Sequence, residues 1–104
     1  MYMKTSFVYI LTNRHQTVFY IGVTADLEKR MRYHREGKGS EFCCKYNVNS
    51  LVYYEVFSDI REAIRRETVL TRWKRDWKIA LIRKRNPEMR ELSFRDGGFL
   101  LSQE

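Results

Sequence analysis

Five side chains of this sequence have the types needed to hydrolyse a phosphodiester bond. Tyr9 and Tyr20 lie in two short apolar runs, and Arg30 and His34 follow them four residues apart. The reaction needs a group that accepts a proton and a cation beside the phosphoryl oxygens, and tyrosine, histidine and arginine can supply both. A carboxylate that binds a metal must come from elsewhere in the chain, and Glu67 is the candidate. These residues predict a small nuclease-like domain.

A β-hairpin is predicted to carry the two tyrosines. Residues 7–11 and 18–23 are rich in β-branched and aromatic residues, which favour strands. The polar residues 12–16 between them are typical of a turn. Residues 51–57 have the same strand-like composition and predict a third strand.

The helix after the hairpin is predicted to position the arginine and the histidine. Thr24 is its predicted N-cap, and the helix should run to about Glu36 and stop at Gly37. Positions i, i+3, i+4 and i+7 form one face of this helix, occupied by Leu27, Arg30, Met31 and His34. Arg30 and His34 should therefore lie at the boundary of the core.

The second half of the chain is predicted to be mainly helical. Residues 37–50, before the third strand, have the glycines, serines and asparagines of a loop. Asp59, with an acid three residues later, predicts the start of a helix. One face of that helix holds Ala63, Ile64, Glu67, Leu70 and Thr71, so Glu67 is an acid among apolar neighbours. A further helical stretch is predicted after a bend near residues 75–76, and Asn86-Pro87 should end it.

The composition of the 104-residue chain limits its class. Its length suits one domain, which we place at residues 1–94, with a C-terminal tail at residues 95–104. Cys43 and Cys44 are adjacent, a spacing that rarely forms a bridge, so free thiols in a reducing compartment are expected. No run of residues is long and apolar enough for a membrane span, and we expect a soluble cytoplasmic protein.

The positive charge is concentrated in one quarter of the sequence. Residues 61–85 hold ten basic and three acidic side chains. The difference, +7, equals the net charge of the whole chain. A run of charge is often only a solvated helix face. Its concentration here favours a polyanion partner, and nucleic acid is the commonest one. The predicted nucleic-acid-binding residues are Lys45, Arg65, Arg66, Arg72, Lys74, Arg75 and Lys78.

Each candidate side chain also has an ordinary structural explanation. Tyrosines favour strands and often only pack, Gly22 could be a simple strand irregularity, and Glu67 could pair with a cation such as Arg66. An arginine on a helix is usually solvated, and a histidine there can pack or cap. The order and spacing of the whole set, rather than any one residue, indicate a catalytic site.

With this order and spacing, the chain resembles the GIY-YIG nuclease superfamily. Val8-Tyr9-Ile10 matches the first motif, although Phe7 stands where that motif begins with glycine, and Tyr20-Ile21-Gly22 matches the second. Arg30, His34 and Glu67 follow in the family's order. The resemblance covers residues 7–92 and is greatest to the short stand-alone bacterial members. The stretches that carry it are Tyr20-Ile21-Gly22-Val23-Thr24, Arg66-Glu67, Trp73-Lys74-Arg75, residues 77–82 and Asn86-Pro87.

The resemblance implies an α+β fold, a small three-stranded antiparallel sheet flanked by helices. It also implies hydrolysis of DNA with one divalent metal, Mg²⁺ or Mn²⁺, bound by Glu67. Tyr9 would then receive the proton of the attacking water while Tyr20 assists. Arg30 would offset charge on the phosphorane, and His34 would orient water or relay a proton. Gly22 and Asn86 match further family positions, although a helix-stop asparagine explains Asn86 equally well.

A tyrosine is a poor base at neutral pH unless its pKa is lowered. The free phenol has a pKa of about 10, so we expect the charge of Arg30 and the metal to lower that of Tyr9. The sequence therefore predicts a metal-dependent endonuclease of low sequence specificity, acting on double-stranded or branched DNA in repair, processing or defence. Two alternatives remain open at this point: a non-catalytic nucleic-acid-binding module with the same fold, and a protein-interaction domain with a basic face.

Overall fold

Three antiparallel strands form the centre of the molecule. The computed structural model describes residues 5–94 and 100–101. β1 (Ser6–Thr12) lies between β2 (Phe19–Thr24) and β3 (Ser50–Phe57) and pairs antiparallel with both. The predicted hairpin, the third strand and the α+β class are confirmed.

Helices cover both faces of this sheet. α1 (Leu27–Arg35) and α2 (Glu41–Tyr46) precede β3, and α3 (Ile60–Arg72) and α4 (Arg75–Arg85) follow it. Within the described ranges, no helix combines the length and the apolar character that a membrane crossing would require.

The alternation of side chains along β1 divides the core into two layers. Tyr9 and Leu11 face one side and pack with apolar residues of α1 and α2. Val8 and Ile10 face the other side, where they pack with residues of α3 and α4. The four β1 side chains are fully buried because the central strand is covered on both faces. The sheet therefore separates α1 and α2 from α3 and α4.

Helix α2 corrects the loop predicted for residues 37–50. The Ser40 side chain accepts a hydrogen bond from the Cys43 amide at 3.1 Å and caps the start of the helix. Asn47 ends it in the left-handed region, with a φ of 58°. The helix has only six residues and is flanked by loop-forming residues, so its pattern was too short to stand out in the sequence.

Two other helix boundaries differ from the prediction. Asp26, not Thr24, is the N-cap of α1, because its carboxylate accepts from the Lys29 amide at 3.0 Å. Thr24 is instead the last residue of β2, and its hydroxyl accepts from the Asp26 amide. The break between α3 and α4 falls at residues 73–74, just before the predicted bend, where the backbone is extended.

The chain after α4 is fixed to β3 by one asparagine. Asn86 follows the last residue of α4, as predicted, and its amide nitrogen donates to the Val52 carbonyl at 3.0 Å and to the Arg90 carbonyl at 2.8 Å. A short strand β4 (Ser93–Phe94) then pairs with β5 (Leu100–Leu101). Apart from β5, the predicted tail at residues 95–104 lies outside the described residues.

Candidate active site

Tyr9 lies at the centre of the candidate site, on the central strand. It faces Gly22 of β2 across the sheet, and its side chain is fully buried. A Cβ atom at position 22 would lie 2.5 Å from the Tyr9 hydroxyl oxygen and 2.6 Å from Cζ. Glycine at this position therefore leaves the space that the Tyr9 phenol occupies. This is a more specific role than the strand irregularity considered from the sequence.

Tyr20 and His34 pack around the Tyr9 ring. The ring centroids of Tyr9 and Tyr20 are 6.4 Å apart, and those of Tyr9 and His34 are 6.2 Å apart. The third side of the triangle, from Tyr20 to His34, measures 6.1 Å, and both tyrosines meet the imidazole edge to face. The structure thus brings together three of the five predicted residues, from β1, β2 and α1.

The imidazole of His34 is buried, and neither of its nitrogens has a hydrogen-bond partner in the part of the chain that the structure describes. Burial lowers the pKa of His34, and the nearby positive charge of Arg30 lowers it further. The ring is therefore neutral at pH 7, with one nitrogen free to accept a proton. An unpaired buried polar group costs about 1–3 kcal/mol, so this arrangement is not what stability alone would select.

Gly39 is a member of the site that the sequence did not reveal. A Cβ atom at this position would overlap the His34 ring, with Nδ1 as the nearest atom. The backbone of the loop before α2 therefore closes over the imidazole. The sequence predicts Gly39 only as part of a loop, because it does not indicate which side chain a loop glycine will contact.

The pKa of Tyr9 contradicts the expectation stated above. Burial raises the pKa of Tyr9 well above its usual range, and the neighbouring Tyr20 phenol raises it further. Arg30 lies close enough to act in the opposite direction, but its effect is smaller. The protein alone therefore keeps the Tyr9 phenol protonated, and Tyr9 is a hydrogen-bond donor at neutral pH.

Arg30 links the buried aromatic rings to an open cavity. Its side chain is exposed rather than packed, unlike the other residues on its face of α1, which are buried. The cavity has a volume of about 370 Å³ and is lined by Thr24, Ala25, Asp26, Lys29, Arg30 and Tyr33. Lys29 and Arg30 contribute two positive charges to this lining, and Asp26, which caps α1, contributes one negative charge. The net positive charge of the cavity suits a phosphate group.

Glu67 belongs to the helix layer on the opposite side of the sheet. The buried residues of α3, Ala63 and Leu70, pack against Val8, on the face that does not carry Tyr9. The hydrogen bonds of the described residues connect Glu67 to Thr71 and not to the tyrosines, Arg30 or His34. The structure therefore does not bring Glu67 into direct contact with the aromatic group.

The Glu67 carboxylate nevertheless has the properties of a metal ligand. The half-buried Arg66, its sequence neighbour, is held by Glu55 through two hydrogen bonds of 2.9 Å. Among the described residues Glu67 makes no salt bridge, so its oxygens are available to a cation. Within residues 5–94 and 100–101, no group of three or more histidine, cysteine, aspartate or glutamate side chains is placed to hold a metal ion. One carboxylate suits Mg²⁺ or Mn²⁺, because such hard ions keep several waters and substrate oxygens as ligands.

The predicted nucleic-acid-binding residues do not form one uniform surface. Arg66 forms a salt bridge with Glu55 and lies over the Trp73 ring. Arg75 donates hydrogen bonds to the carbonyls of residues 16 and 17 in the hairpin loop. Both therefore have a structural role. The exposed members of the set are Lys45, Arg65, Arg72 and Lys74, and Lys78 is half-buried. Asn86 is also structural, since both amide hydrogens and the side-chain oxygen are bonded to backbone.

Comparison with known proteins identifies the family of the chain. The family model of the GIY-YIG catalytic domain matches residues 5–80. The chain therefore belongs to the GIY-YIG family and carries a nuclease-type domain, for which nucleic acid is the expected substrate class.

The relatives of the chain are short proteins named UPF0213. It is 34% identical over 83 residues to UPF0213 protein SH2523 of Staphylococcus haemolyticus, covering 80% of this chain and all of the relative. It is 36% identical over 77 residues to UPF0213 protein CPE1444 of Clostridium perfringens, covering 74% of this chain and 82% of the relative. The chain is also similar to the solution NMR structure of UPF0213 protein BH0048 from Bacillus halodurans, with 29% sequence identity and a TM-score of 0.48. The match covers 75% of this chain and 82% of the BH0048 chain.

Proposed function

We propose that this protein is a metal-dependent endonuclease that hydrolyses phosphodiester bonds in double-stranded or branched DNA. The observation that carries the proposal is the group formed by Tyr9, Tyr20 and the unpaired His34, with ring centroids 6.1–6.4 Å apart, beside an exposed Arg30. Its role lies in DNA repair, other DNA processing or defence. Low sequence specificity is part of the proposal, since the exposed cations suit contacts with the phosphate backbone, which carry no sequence information.

Glu67 is the proposed ligand of the metal. A divalent ion bound there would polarise the scissile phosphate and stabilise the leaving oxygen. Among residues 5–94 and 100–101 no basic side chain forms a salt bridge with the Glu67 carboxylate, which supports this assignment. α3 packs on β1 and on β2, and β2 is an edge strand of the sheet, so a substrate bound across this edge would reach both Glu67 and the aromatic group. Gly22, which has no side chain, lies in this strand.

Proton transfer is assigned to the neutral imidazole of His34. In the proposed relay, the oxygen of the half-buried Tyr20 accepts the proton of the attacking water while the hydroxyl proton of Tyr20 passes to a nitrogen of His34, whose ring lies edge to face with that of Tyr20 at a centroid distance of 6.1 Å. His34 is the final acceptor, because its lowered pKa keeps it neutral and both nitrogens lack partners. Tyr9, whose raised pKa keeps it protonated, is fully buried and positions the rings of Tyr20 and His34 rather than acting as the base.

Arg30 is assigned to the developing negative charge on the phosphorane. Its guanidinium lines the cationic cavity and carries a positive charge. Exposed cations elsewhere, Arg65, Arg72 and Lys74 among them, hold the DNA backbone without reading bases. The free thiols of Cys43 and Cys44 are compatible with a reducing, cytoplasmic location.

A nuclease assay with two matched pairs of variants tests the proposal. We expect Mg²⁺- or Mn²⁺-dependent cleavage to fall by about 10²–10³-fold in Glu67→Ala and in Arg30→Ala. Glu62→Ala and Arg32→Ala are the controls, because each removes an exposed side chain of the same charge from the same helix. Equal cleavage by the parent and both active-site variants would show that a contaminant is responsible.

A non-catalytic nucleic-acid-binding module is the second candidate. It is favoured by the packing of α3 on the sheet face opposite to Tyr9 and by the raised pKa of Tyr9. Such a module would bind DNA with an affinity that falls steeply as salt rises, because bound counterions are released. Salt-sensitive binding without cleavage, in Mg²⁺ and in Mn²⁺, would establish this second function.

A further inference from the structure

A row of exposed aromatic rings extends from the candidate active site along α2. The rings of Tyr20 and Phe42 are stacked with an interplanar angle of 28° and centroids 6.4 Å apart. Phe42 in turn packs on Tyr46, one helical turn later, with centroids 5.0 Å apart. Phe42 and Tyr46 are 43% and 44% exposed. The row therefore begins at a proposed catalytic side chain and ends in solvent.

The exposure of Phe42 and Tyr46 is not required for the packing of α2. The buried residue of this helix is Cys43, which joins the core cluster of Tyr9 and Leu11. Contact with Tyr20 covers only part of the Phe42 ring. Single exposed apolar residues are ordinary, whereas two adjacent aromatic rings beside a candidate active site indicate a contact surface.

A positive charge accompanies the same surface. The Lys45 ammonium nitrogen lies 5.5 Å from the centroid of the Tyr46 ring. Aromatic rings that stack on bases, combined with cations that hold the phosphates, are the two components of single-strand nucleic-acid sites. The chemistry of the row thus matches a strand whose bases are unpaired, since the bases of a duplex are stacked on each other.

We propose that Phe42 and Tyr46 form a stacking platform for unpaired nucleobases next to the scissile phosphate, with Lys45 on the adjoining backbone. This inference rests on the proposed endonuclease function and defines its substrate more closely. Among branched DNAs, those with single-stranded segments beside the cleavage site bind best. The platform also selects no particular base, because every base presents an aromatic face.

Binding of labelled oligonucleotides by Phe42→Ala tests the platform. The probes are a 12-nucleotide single strand that contains 2-aminopurine and a duplex of the same length, in EDTA so that cleavage does not interfere. We expect Kd for the single strand to rise about 5- to 150-fold in Phe42→Ala and in Tyr46→Ala. Kd for the duplex should change by less than about threefold. Quenching of 2-aminopurine by the parent, which reports stacking, should be lost in both variants.

Phe42→Tyr is the matched variant, since it keeps the ring, and it should bind the single strand within about twofold of the parent. Circular dichroism of each variant verifies that α2 and the sheet are retained. Unchanged single-strand binding in Phe42→Ala would overturn the platform, as would an equal loss on both probes. If the Glu67→Ala variant still loses cleavage in that case, the endonuclease function stands without the platform. A parent protein that binds neither probe would also overturn the platform, and the cleavage assay in Mg²⁺ or Mn²⁺ then decides the endonuclease function separately.

Discussion

The substitution Gly22→Ala tests how tightly the Tyr9 phenol is held. Gly22 lies opposite Tyr9 in β2 and does not have a positive φ, so alanine fits the backbone itself. Its methyl group, however, would lie 2.5–2.6 Å from the Oη and Cζ atoms of Tyr9. Tyr9 is fully buried between Tyr20 and His34 and has no open direction in which to move.

The expected loss of stability follows from two opposing contributions. Overpacking of this kind costs about 1–3 kcal/mol, while replacing a strand glycine with alanine returns about 0.5–1 kcal/mol. The net destabilisation lies between about 0 and 2.5 kcal/mol and is centred at ~1.3 kcal/mol, which corresponds to a decrease in Tm of about 5–10 °C. Displacing Tyr9 by about 1 Å should also lower the rate of DNA cleavage about 100-fold.

Urea denaturation and a single-turnover cleavage assay measure the two effects. In a Tyr9→Leu background, where the side chain ends before the position of Cζ, the same Gly22→Ala change should become neutral or slightly stabilising. A Gly22→Ala protein with the stability and the cleavage rate of the parent would refute the close contact of Gly22 with Tyr9.

Three further predictions concern the surroundings of this group. Gly39→Ala should displace the His34 ring and lower cleavage at least tenfold, measured at saturating Mg²⁺. Because the pKa of His34 is lowered in the fold, its contribution to stability is complete above about pH 6.5 and declines as the pH falls below that value. Urea denaturation at pH 5.5 and 7.5 measures this slope. Arg66→Ala should destabilise the fold by about 1.5–3 kcal/mol by removing both guanidinium hydrogen bonds from Glu55, which keeps the Tyr53 hydroxyl as a donor. Arg65→Ala should weaken DNA binding at unchanged stability.

Each of these predictions has a clear contrary result. A cleavage rate of Gly39→Ala equal to that of the parent would mean that the loop does not hold the imidazole. The pH dependence should be smaller in His34→Phe, and an identical slope in parent and variant would assign it to other groups. Weaker DNA binding by Arg66→Ala than by Arg65→Ala would show that the ion pair with Glu55 opens on DNA.

The sequence predicted the elements whose signals are local. The β-branched and aromatic residues at 7–11 and 18–23 predicted the hairpin, and the Asn86-Pro87 pair predicted the end of the last helix. Helix α2 was missed because six residues do not establish a period, although Ser40 and Asn47 carry its capping signals. Thr24 and Asp26 are both suitable N-cap residues, and the sequence does not distinguish between them. In the structure Asp26 caps α1 by accepting a hydrogen bond from the Lys29 amide.

The properties of the candidate site depended on contacts that are distant in sequence. Spacing alone indicated Tyr9, Tyr20 and His34, and the structure groups their rings. The sequence could not predict that burial would outweigh Arg30 and raise the pKa of Tyr9. Nor could it predict that a carboxylate eleven residues earlier, that of Glu55, would occupy Arg66. Both effects arise only once the sheet has formed.

Whether one metal ion is shared by Glu67 and the aromatic group can be measured with Mn²⁺ as a paramagnetic probe. In ¹⁵N NMR spectra of the parent, we expect substoichiometric Mn²⁺ to broaden the amide signals of Glu67, Gly22 and Arg30 together, before that of Asn86. Glu67→Gln should abolish the broadening at all three positions. Broadening near Glu67 that leaves Gly22 and Arg30 unaffected, or an unchanged pattern in Glu67→Gln, would contradict a common catalytic centre.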